Sequence, residues 1–554
     1  MNQIHKEYKE YLKASGITFI AGTWNFPAAI PVGNIVAALL SGQAVLFKPA
    51  LESVFVGWLI VQYFWRAGIP KEVLQFIPCE DDVGTQIIEN NHINNIILTG
   101  SEATATQFKK ANTSATLTAE TGGKNSIILT SLCDREKAIH DTIQSAFGFS
   151  GQKCSAASLL IVEADIYDDP LFKSQLKDAA ESLDVGVSSV PSNQVIPLIR
   201  RPSIALNRAL KTVDKGESWL LKPIKSPDNP HLYSPGIKWN VKEGSFMHQT
   251  ELFGPVLSVI KAYNLDHAIE IANSTPYGLT AGLQSLDIHE QRKWTKYIQA
   301  GNLYINRPIT GATVHAQPFG GIKNSQFGKG FKSGGPLYLY NFIKLKSDPG
   351  PTNHILKQSD PIKSHKWSLS NIPIDQEKHW IDSIRNYTHW AEQYQQKYDI
   401  CQLKGQDNFR YSVPHKEITL RVNETDTIID VLRIAYICSL CNIKLIISHN
   451  IEEICIWDHP KWEHEYPTCY IKKESSISLK KRILSDKISI IRFISPLPND
   501  IKIAISQTRT RLIYEPVLSN GKFELLHYLQ EKSLSHDYHR YGYLSTRKSE
   551  YRKD

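Results

Sequence analysis

A cysteine in a glycine-containing loop is the first residue of this chain whose surroundings predict chemistry. Cys154 lies in the segment S-G-Q-K-C-S-A, residues 150–156, between a predicted helix and a predicted strand. Such a loop can hold a thiol at the mouth of a cleft, and Lys153 together with local peptide dipoles would favour the thiolate, the nucleophilic form. The alternative is that Cys154 is a small buried hydrophobic residue, as lone cysteines usually are.

Two glutamates stand in glycine-rich or turn-forming segments on either side of this cysteine. Glu120 lies in T-A-E-T-G-G-K-N, residues 118–125, and is 34 residues before Cys154. A carboxylate beside paired glycines can move near a bound substrate and activate water. Glu251 begins E-L-F-G-P-V, residues 251–256, and is 97 residues after Cys154. The alternatives are a surface turn for Glu120 and a turn before a strand for Glu251.

These residues need a scaffold, and the hydrophobic pattern predicts alternating strands and helices. The predicted strands near the N-terminus are 17–20, 44–47, 74–77 and 95–98, and the helices between them are 32–41, 53–67 and 83–89. This alternation predicts a doubly wound parallel sheet. It continues with a helix at 136–147 and a strand at 158–163. After a linker rich in Ser, Pro and Lys at 347–368, it resumes with a strand at 417–422, a helix at 427–438 and a strand at 443–448.

Composition limits the class of protein. The chain has 554 residues, a net charge of +8 and an apolar fraction of 42%, which is ordinary for a globular protein. Its lysines are scattered, so nucleic-acid binding is not expected. Residues 21–47 carry no charge, but their prolines, glycines and polar residues favour buried strands and a helix over a membrane span. The eight cysteines are irregularly spaced and no secretion signal is present, which predicts reduced thiols in the cytoplasm.

Five segments taken jointly resemble the aldehyde dehydrogenase superfamily. They are the three above together with W-N-F-P at 24–27 and F-K-P-A at 47–50, in the family's order and at suitable spacings. The resemblance implies an α/β protein with the aldehyde dehydrogenase fold, which has a Rossmann-like NAD-binding domain and an α/β catalytic domain. It also implies that Cys154 attacks the aldehyde carbon, that the Asn25 amide and the Cys154 N–H stabilise the oxyanion, and that Glu120 is the general base for thioester hydrolysis.

The resemblance further implies a cofactor site for NAD, although a G-x-G-x-x-G fingerprint is absent. Ser101, at the start of a helix in L-T-G-S, would face the pyrophosphate, with a plain helix N-cap as the alternative. Lys48 would reach the adenosine ribose, Glu251 the nicotinamide ribose and Phe253 the nicotinamide. The chain departs from the family in having Leu51 where a ribose-contacting polar residue is usual, with Glu52 next to it, so selectivity between NAD and NADP is left open.

Three further segments resemble the glutamate-semialdehyde dehydrogenases within this superfamily. They are G-N-L-Y-I-N-R at 301–307, Q-P-F-G-G at 317–321 and K-S-G-G-P-L-Y-L at 332–339. The resemblance implies that the backbone N–H groups of Gly334 and Gly335, aided by the Ser155 hydroxyl, bind the substrate carboxylate. The expected reaction is oxidation of L-glutamate γ-semialdehyde to L-glutamate, the second step of proline degradation. The alternative for the 332–335 loop is a flexible turn at a domain edge.

The C-terminal segments 521–529 and 533–542 resemble the end of long proline-utilisation proteins, in which a degenerate dinucleotide-fold α/β domain covers the dehydrogenase site. We therefore expect an NAD-binding domain at 1–121, truncated at its N-terminus, and a catalytic domain at 122–336. A strand of the oligomerisation flap follows at 337–346, then the linker at 347–368 and a lid-like domain without catalytic residues at 369–554. A homo-oligomer is expected. A separate proline dehydrogenase chain is a further expected partner, because no such domain is present here.

Three hypotheses remain open on the sequence alone: a working dehydrogenase, an inactive or partner-dependent fragment, and a dehydrogenase for another aldehyde. A metal site is not expected. Its strongest candidate ligands are Cys438, Cys441, Cys455, His459, His464 and Cys469. The first two lie at the end of an apolar helix pattern, where buried thiols are common, and the histidines flank an irregular loop.

Overall fold

Three mostly parallel β-sheets organise the chain, and the computed structural model describes them over residues 12–14, 16–345, 347–351, 365–452, 456–544 and 547. Helices cover the sheets in the way expected of an α/β fold. The predicted strands and helices named above are present, with bounds that differ by a few residues. Apolar residues at both faces of each central strand, such as Phe19 and Ile20, are fully buried, which explains the continuous apolar runs in the sequence.

The N-terminal sheet has the doubly wound strand order. Its five parallel strands lie in space as Leu74–Phe76, Ala44–Lys48, Ile17–Ala21, Ile93–Thr99 and Thr116–Glu120, which is the order 3-2-1-4-5 along the chain. The short antiparallel strand Gln326–Phe327 extends the sheet beside Thr116–Glu120. Its helices are Ala29–Leu40, Val54–Arg66, Asp81–Ile88 and Glu102–Ala111. Ligands of such sheets bind at the carboxyl ends of the strands, where the strand order reverses.

The uncharged stretch at residues 21–47 forms part of this sheet. It comprises the end of one strand, the helix Ala29–Leu40 and most of the strand Ala44–Lys48. No helix in the described part of the chain is long and apolar enough to cross a membrane.

The central sheet has nine strands and receives two of them from the C-terminal region. In spatial order they are Gln406–Pro414, Leu529–Asp537, Asn302–Ile305, Thr280–Gln284, Asn125–Leu129, Ala157–Glu163, Val256–Ala262, Gly236–Trp239 and Ser218–Leu221. The two edge strands are antiparallel to their neighbours and the others are parallel. The helices that connect the strands of this unit are, in chain order, Arg135–Phe147, Ala164–Tyr167, Pro170–Glu181, Ile204–Lys211, Phe246–Gln249, Leu265–Asn273 and Ile288–Tyr297.

The C-terminal sheet repeats the dinucleotide-fold strand order on a smaller scale. Its five parallel strands lie as Cys469–Lys473, Lys444–His449, Glu417–Val422, Ile490–Phe493 and Arg511–Ile513, again 3-2-1-4-5 along the chain. The helices of this region are Lys366–Leu369, Ile374–Gln395, Ile428–Leu440, Pro460–Glu465, Ser476–Leu484, Asn499–Ser506 and Gly521–Glu524. The expected degenerate dinucleotide fold is therefore confirmed. The strand Leu529–Asp537 leaves this unit and pairs with Asn302–Ile305 of the central sheet.

Two expectations about the connecting segments need correction or qualification. In the described part of this segment, residues 337–345, only Ile343–Leu345 is a strand, paired antiparallel with Leu12–Ala14, whereas Tyr338–Asn341 forms a 3₁₀ turn. The N–H groups of Tyr340 and Phe342 donate to the carbonyl oxygens of Leu337 and Leu339, at 3.0 and 2.9 Å, and an extended strand does not form such i to i+3 hydrogen bonds. Most of the predicted linker, residues 352–364, lies outside the described residues, and Lys366–Leu369 at its end is a helix.

Candidate active site

A loop with an unusual backbone presents the thiol of Cys154. Phe149, Ser150 and Gly151 all have positive φ, at 62°, 57° and 67°. A Cβ on Gly151 would lie 2.5 Å from the carbonyl oxygen of Gly254, so only glycine fits there. The loop ends at Cys154, which is half-buried, before the strand Ala157–Glu163 begins. Positive φ in three successive residues is a local strain of the kind that recurs at functional sites.

Asn125 fixes the backbone on the other side of the cysteine. Its Nδ2 donates hydrogen bonds to the carbonyl oxygens of Cys154 at 2.7 Å and Ala156 at 2.9 Å. Its Oδ1 accepts from the Thr280 N–H at 3.0 Å. Asn125 stands at the start of a buried strand of the central sheet, so the rigid sheet determines the direction of the cysteine loop.

Glu120 lies at the end of the last parallel strand of the N-terminal sheet. Its Oε2 accepts a hydrogen bond from the Gly321 N–H at 2.9 Å. Burial raises the pKa of the Glu120 carboxyl, while the hydrogen bond from Gly321 and the charge of Lys332 act in the opposite direction. A carboxyl whose pKa is raised in this way is suited to act as a base near neutral pH.

Glu251 approaches the same site from the segment before the strand Val256–Ala262. Its Oε1 accepts from the Gly123 N–H at 2.8 Å. Burial raises the pKa of Glu251 to about 7, opposed by the Gly123 hydrogen bond and by the charge of Lys124. Gly123, one of the paired glycines that follow Glu120 in the sequence, thus binds Glu251 directly.

The thiol lies within electrostatic reach of both glutamates. Burial, together with the charges of Glu251 and Glu120, raises the pKa of Cys154 to about 12. The backbone N–H groups of Ser155 and Cys154 lower it in part. The charge of Lys153 and the backbone dipoles favour the thiolate as expected, but burial and the two carboxylates outweigh them. The site nevertheless brings together the three groups that the sequence singled out.

Asn25 is placed beside the cysteine loop. Its Nδ2 donates to the carbonyl oxygen of Gln152, two residues before Cys154, at 3.0 Å. Its Oδ1 accepts from the Thr23 hydroxyl at 2.7 Å. Because a primary amide has two N–H donors, this geometry fixes the side chain and leaves a second donor.

Two of the residues expected to hold a cofactor, Lys48 and Ser101, lie at the carboxyl ends of strands of the N-terminal sheet. Lys48 is buried, and its Nζ bonds to Asp81 at 2.8 Å. Ser101 is the N-cap of the helix Glu102–Ala111 and its Oγ accepts from the Thr104 N–H at 3.1 Å. The helix N-cap is thus realised in the structure. Phe253 has a positive φ of 54° and meets Trp24 edge to face, with ring centroids 5.8 Å apart.

Glu52, the acidic residue next to Leu51, is already engaged in an ion pair. Glu52 accepts a hydrogen bond from the guanidinium of Arg200, which comes from the central unit. This contact, opposed by burial, holds the pKa of Glu52 below its usual value. Leu51, at the position where a ribose-contacting residue was expected, is exposed.

The residues expected to bind a substrate carboxylate are only partly free to do so. Ser155 is buried next to the cysteine. Gly334 has a φ of 73°, which favours glycine, and its carbonyl oxygen accepts from the His315 N–H at 3.2 Å. The N–H of Gly335 donates to the Lys332 carbonyl oxygen at 3.1 Å. In this conformation the Gly335 N–H is used within the loop, so its role in binding stays a prediction.

Sequence reasoning missed the buried lysine that begins this loop. The Nζ of Lys332 donates to the carbonyl oxygen of Gly320, and its backbone N–H donates to Glu531 at 2.9 Å. The segments 317–321 and 332–339 had been recognised separately, but nothing in their spacing indicates that they meet beside Glu120.

The described residues contain no group of three His, Cys, Asp or Glu side chains that could hold a metal ion. Cys438, Cys441 and Cys469 are free and buried in the core of the C-terminal unit. Cys455 lies outside the described residues.

The fold and the site define a class: an α/β protein with a dinucleotide-type sheet and a cysteine flanked by two carboxylates. The aldehyde dehydrogenase family matches residues 4–347, and the chain belongs to this family. The 1-pyrroline-5-carboxylate dehydrogenase of Staphylococcus aureus (strain JH1) is 34% identical over 352 residues, which are 62% of this chain and 67% of that protein.

Two solved structures extend the comparison. Proline utilization A (PutA) from Corynebacterium freiburgense matches with a TM-score of 0.83 and 33% identity over 96% of this chain. This chain spans about half, 51%, of the length of that protein. A 1-pyrroline-5-carboxylate dehydrogenase from Thermus with bound NAD matches with a TM-score of 0.56 and 34% identity, over 60% of this chain and 66% of that one. The resemblance inferred from the sequence is confirmed, including that of the C-terminal region.

Proposed function

We propose that this chain oxidises L-glutamate γ-semialdehyde to L-glutamate, with NAD⁺ as the hydride acceptor. The main observation behind the proposal is that Cys154, Glu120 and Glu251 lie together in one partly buried site. The segments that carry them belong to two different sheets. The relatives named as 1-pyrroline-5-carboxylate dehydrogenases support the choice of substrate. The Cys154 thiol is the nucleophile, Glu120 is the base and Glu251 contacts the cofactor.

The first step needs a thiolate, and the resting site favours the thiol. Because the raised pKa keeps Cys154 protonated near neutral pH, its proton must leave within the site as the sulfur attacks the aldehyde carbon. Glu120, a carboxyl with a raised pKa in electrostatic contact with the sulfur, is the base for this transfer. The second N–H of the Asn25 amide and the Cys154 N–H stabilise the oxyanion of the resulting thiohemiacetal.

The residues fit a nicotinamide dinucleotide. Glu251 is held by Gly123 in a place where a side chain on Gly122 would exclude it, as expected of a carboxylate that must point into a ligand site. The N-terminus of the helix Glu102–Ala111 offers backbone N–H groups for a pyrophosphate, and Lys48 marks the ribose end. Bound NAD⁺ supplies the acceptor for hydride from the tetrahedral carbon.

The last step, hydrolysis of the thioester, regenerates the free Cys154 thiol. After hydride transfer the substrate is a thioester on Cys154, and Glu120, once it has released the thiol proton to solvent, removes a proton from the attacking water. The Gly334 N–H and Ser155 hydroxyl bind the substrate carboxylate and so select glutamate semialdehyde over simple aldehydes. The domain ranges given above are part of the proposal, with the two C-terminal-region strands of the central sheet added to the catalytic unit.

We also propose a cytoplasmic homo-oligomer that works with a separate proline dehydrogenase chain. The helix Val54–Arg66 supports assembly because it exposes Phe55 at 71% and Tyr63 at 67%, and apolar patches of this kind usually mark interfaces. The free state of the seven described cysteines supports a reducing compartment. Light scattering of the purified chain, alone and mixed with a proline dehydrogenase, tests both forms of assembly.

The decisive experiment follows NADH formation by purified protein given NAD⁺ and glutamate semialdehyde. We expect turnover that is abolished in Cys154→Ala and retained in the matched control Cys133→Ala, whose thiol lies outside the site. Turnover by Cys154→Ala would refute the nucleophile. No NADH from the intact chain would favour the inactive or partner-dependent fragment, and faster turnover of an aldehyde without the amino-acid carboxylate would favour another substrate.

A further inference from the structure

One peptide group connects a buried lysine to the carboxylate of Glu120. The carbonyl oxygen of Gly320 accepts a hydrogen bond from the Nζ of Lys332. The N–H of Gly321, at the other side of the same peptide bond, donates to Glu120 Oε2 at 2.9 Å. The sequence of contacts is therefore ammonium, carbonyl, amide and carboxylate, with no side chain between them.

The lysine is held in this position from several sides. Its Nζ also donates to Asn302 Oδ1 at 3.0 Å, and the Asn302 amide donates to the Gly320 carbonyl oxygen at 3.1 Å. The Lys332 side chain is 1% exposed. A Cβ on Gly301 would lie 2.1 Å from the Gly320 oxygen and 3.0 Å from the Lys332 Nζ, so the packing there requires glycine. The arrangement is built into the fold.

Such a chain of hydrogen bonds is cooperative. A cation at the carbonyl oxygen polarises the peptide group and makes its N–H a stronger donor to the carboxylate. Hydrogen bonds that involve a charged group are stronger than neutral ones, and burial reduces the screening by water. The positive charge of Lys332 thus acts on Glu120 without direct contact between the two side chains.

We propose that Lys332 is a positioning residue for Glu120, and that it acts through the Gly320–Gly321 peptide to fix the carboxylate and favour its ionised form. This proposal rests on the proposed role of Glu120 as the general base. The segment K-S-G-G-P, residues 332–336, then has two functions: its loop at residues 334–335 binds substrate, and its lysine positions Glu120. Gly320 and Gly321 transmit the effect of Lys332 to the Glu120 carboxylate.

Other titratable groups around the pair are few and identifiable. The Cys154 thiol and the Tyr338 phenol lie within electrostatic reach of Glu120. Glu531 and Lys532, on the strand Leu529–Asp537, act on Lys332 with opposite signs. Burial raises the pKa of Glu120 and the Lys332 charge lowers it, so removal of that charge must raise the pKa of Glu120 further.

The test uses p-nitrophenyl acetate, which acylates a reactive thiol without NAD⁺ or an aldehyde. The initial release of nitrophenolate reports acylation of Cys154, and the steady state reports thioester hydrolysis assisted by Glu120. Because Glu120 must be ionised, hydrolysis increases as the pH rises through its pKa. In Lys332→Met we expect this increase to move to higher pH by about half to one unit, with the amplitude of the initial release retained.

Three variants make the result specific. Lys332→Arg keeps the charge and should restore the profile, and Lys323→Met, which removes a partly buried lysine bonded to the Asn273 and Thr275 carbonyls, should leave it unchanged. If Lys332→Met does not fold, Lys332→Gln removes the charge while keeping an amide donor and must give the same shift. A folded neutral variant with an unshifted profile overturns the proposal, as does a shift toward lower pH.

The outcome is separable from that of the proposed function. Hydrolysis of the ester needs Cys154 and Glu120 but no semialdehyde, so a wrong substrate assignment would leave this test intact. Conversely, an unshifted profile in Lys332→Met would refute the role of Lys332 and leave the semialdehyde reaction standing.

Discussion

The carboxylate of Glu251 occupies the space that a side chain on Gly122 would need. A Cβ on Gly122 would lie 1.9 Å from Glu251 Oε2, while the next N–H, that of Gly123, donates to Oε1 at 2.8 Å. The first glycine makes room for Glu251 and the second orients it. The G-G pair after Glu120 therefore positions Glu251, the second glutamate of the site.

Gly122→Ala should displace Glu251 and lower kcat/KM. A misplacement of about 1 Å in an active site can cost about a hundredfold in rate, and we expect a loss of that order. Steady-state kinetics measures it, and circular dichroism checks that the variant is folded. Gly33→Ala is the matched control, since a Cβ there meets no atom within 4 Å and the residue lies inside a helix. A Gly122→Ala enzyme within threefold of the original would contradict this reading.

Glu251→Gln should make Cys154 more reactive toward iodoacetamide. The Glu251 charge raises the pKa of the thiol, so its removal lowers that pKa and increases the thiolate fraction. Below the thiol pKa each unit is worth about tenfold in thiolate, and we expect about three- to tenfold faster alkylation near pH 8. Because the pKa of Glu251 is about 7, the difference should shrink near pH 6, where the glutamate is already protonated.

Peptide mass spectrometry of carbamidomethylated Cys154 measures this rate site by site. Glu243→Gln, which removes an exposed carboxylate bonded to His267, is the control and should leave the rate unchanged. Slower alkylation in Glu251→Gln would show that the carboxylate assists the thiolate instead of opposing it.

Two substitutions at Ser101 separate helix capping from cofactor binding. Ser101→Asp keeps an N-cap acceptor for the Thr104 N–H and should retain the melting temperature, whereas Ser101→Ala should lose about 1 kcal/mol of stability. The added negative charge of Ser101→Asp should weaken NAD⁺ binding about tenfold or more, since it would stand where a pyrophosphate is proposed to lie. Titration calorimetry with NAD⁺ measures the affinity. Unchanged affinity in Ser101→Asp would place the pyrophosphate elsewhere.

Glu524→Gln should destabilise the C-terminal unit. Glu524 pairs with Arg492 at 2.5 Å, both side chains are fully buried, and the Leu518 N–H also donates to Glu524 at 2.9 Å. Removing one charge of a buried pair leaves the other uncompensated and costs about 3 to 5 kcal/mol. Urea unfolding followed by tryptophan fluorescence measures the loss. Asp500→Asn, from an exposed pair with Lys480, should cost less than about 1 kcal/mol, and an equal loss in both variants would contradict the prediction.

The elements were predictable because their apolar patterns are local. Strands such as Ile17–Ala21 are short continuous apolar runs, and helices such as Arg135–Phe147 leave only every fourth residue exposed, so the sequence shows both patterns directly. Helix and strand ends were less certain, because caps such as Asp134 compete with several equivalent polar residues. The resemblance implied a flap strand over residues 337–346, whereas Tyr338–Asn341 is a 3₁₀ turn, because a family resemblance does not specify the local backbone of each residue.

By itself, the sequence determined the family and predicted the nucleophile and the two glutamates of the site, because residue types in five ordered segments carry that information. Only the tertiary structure decided how these groups are tuned. Glu531 accepts a hydrogen bond from Lys332, which lies 199 residues earlier in the chain. Arg200 donates one to Glu52, which lies 148 residues earlier. The protonation of Cys154 likewise depends on burial and on carboxylates from distant segments. Such effects arise from desolvation and charge in three dimensions, and no local pattern of residues encodes them.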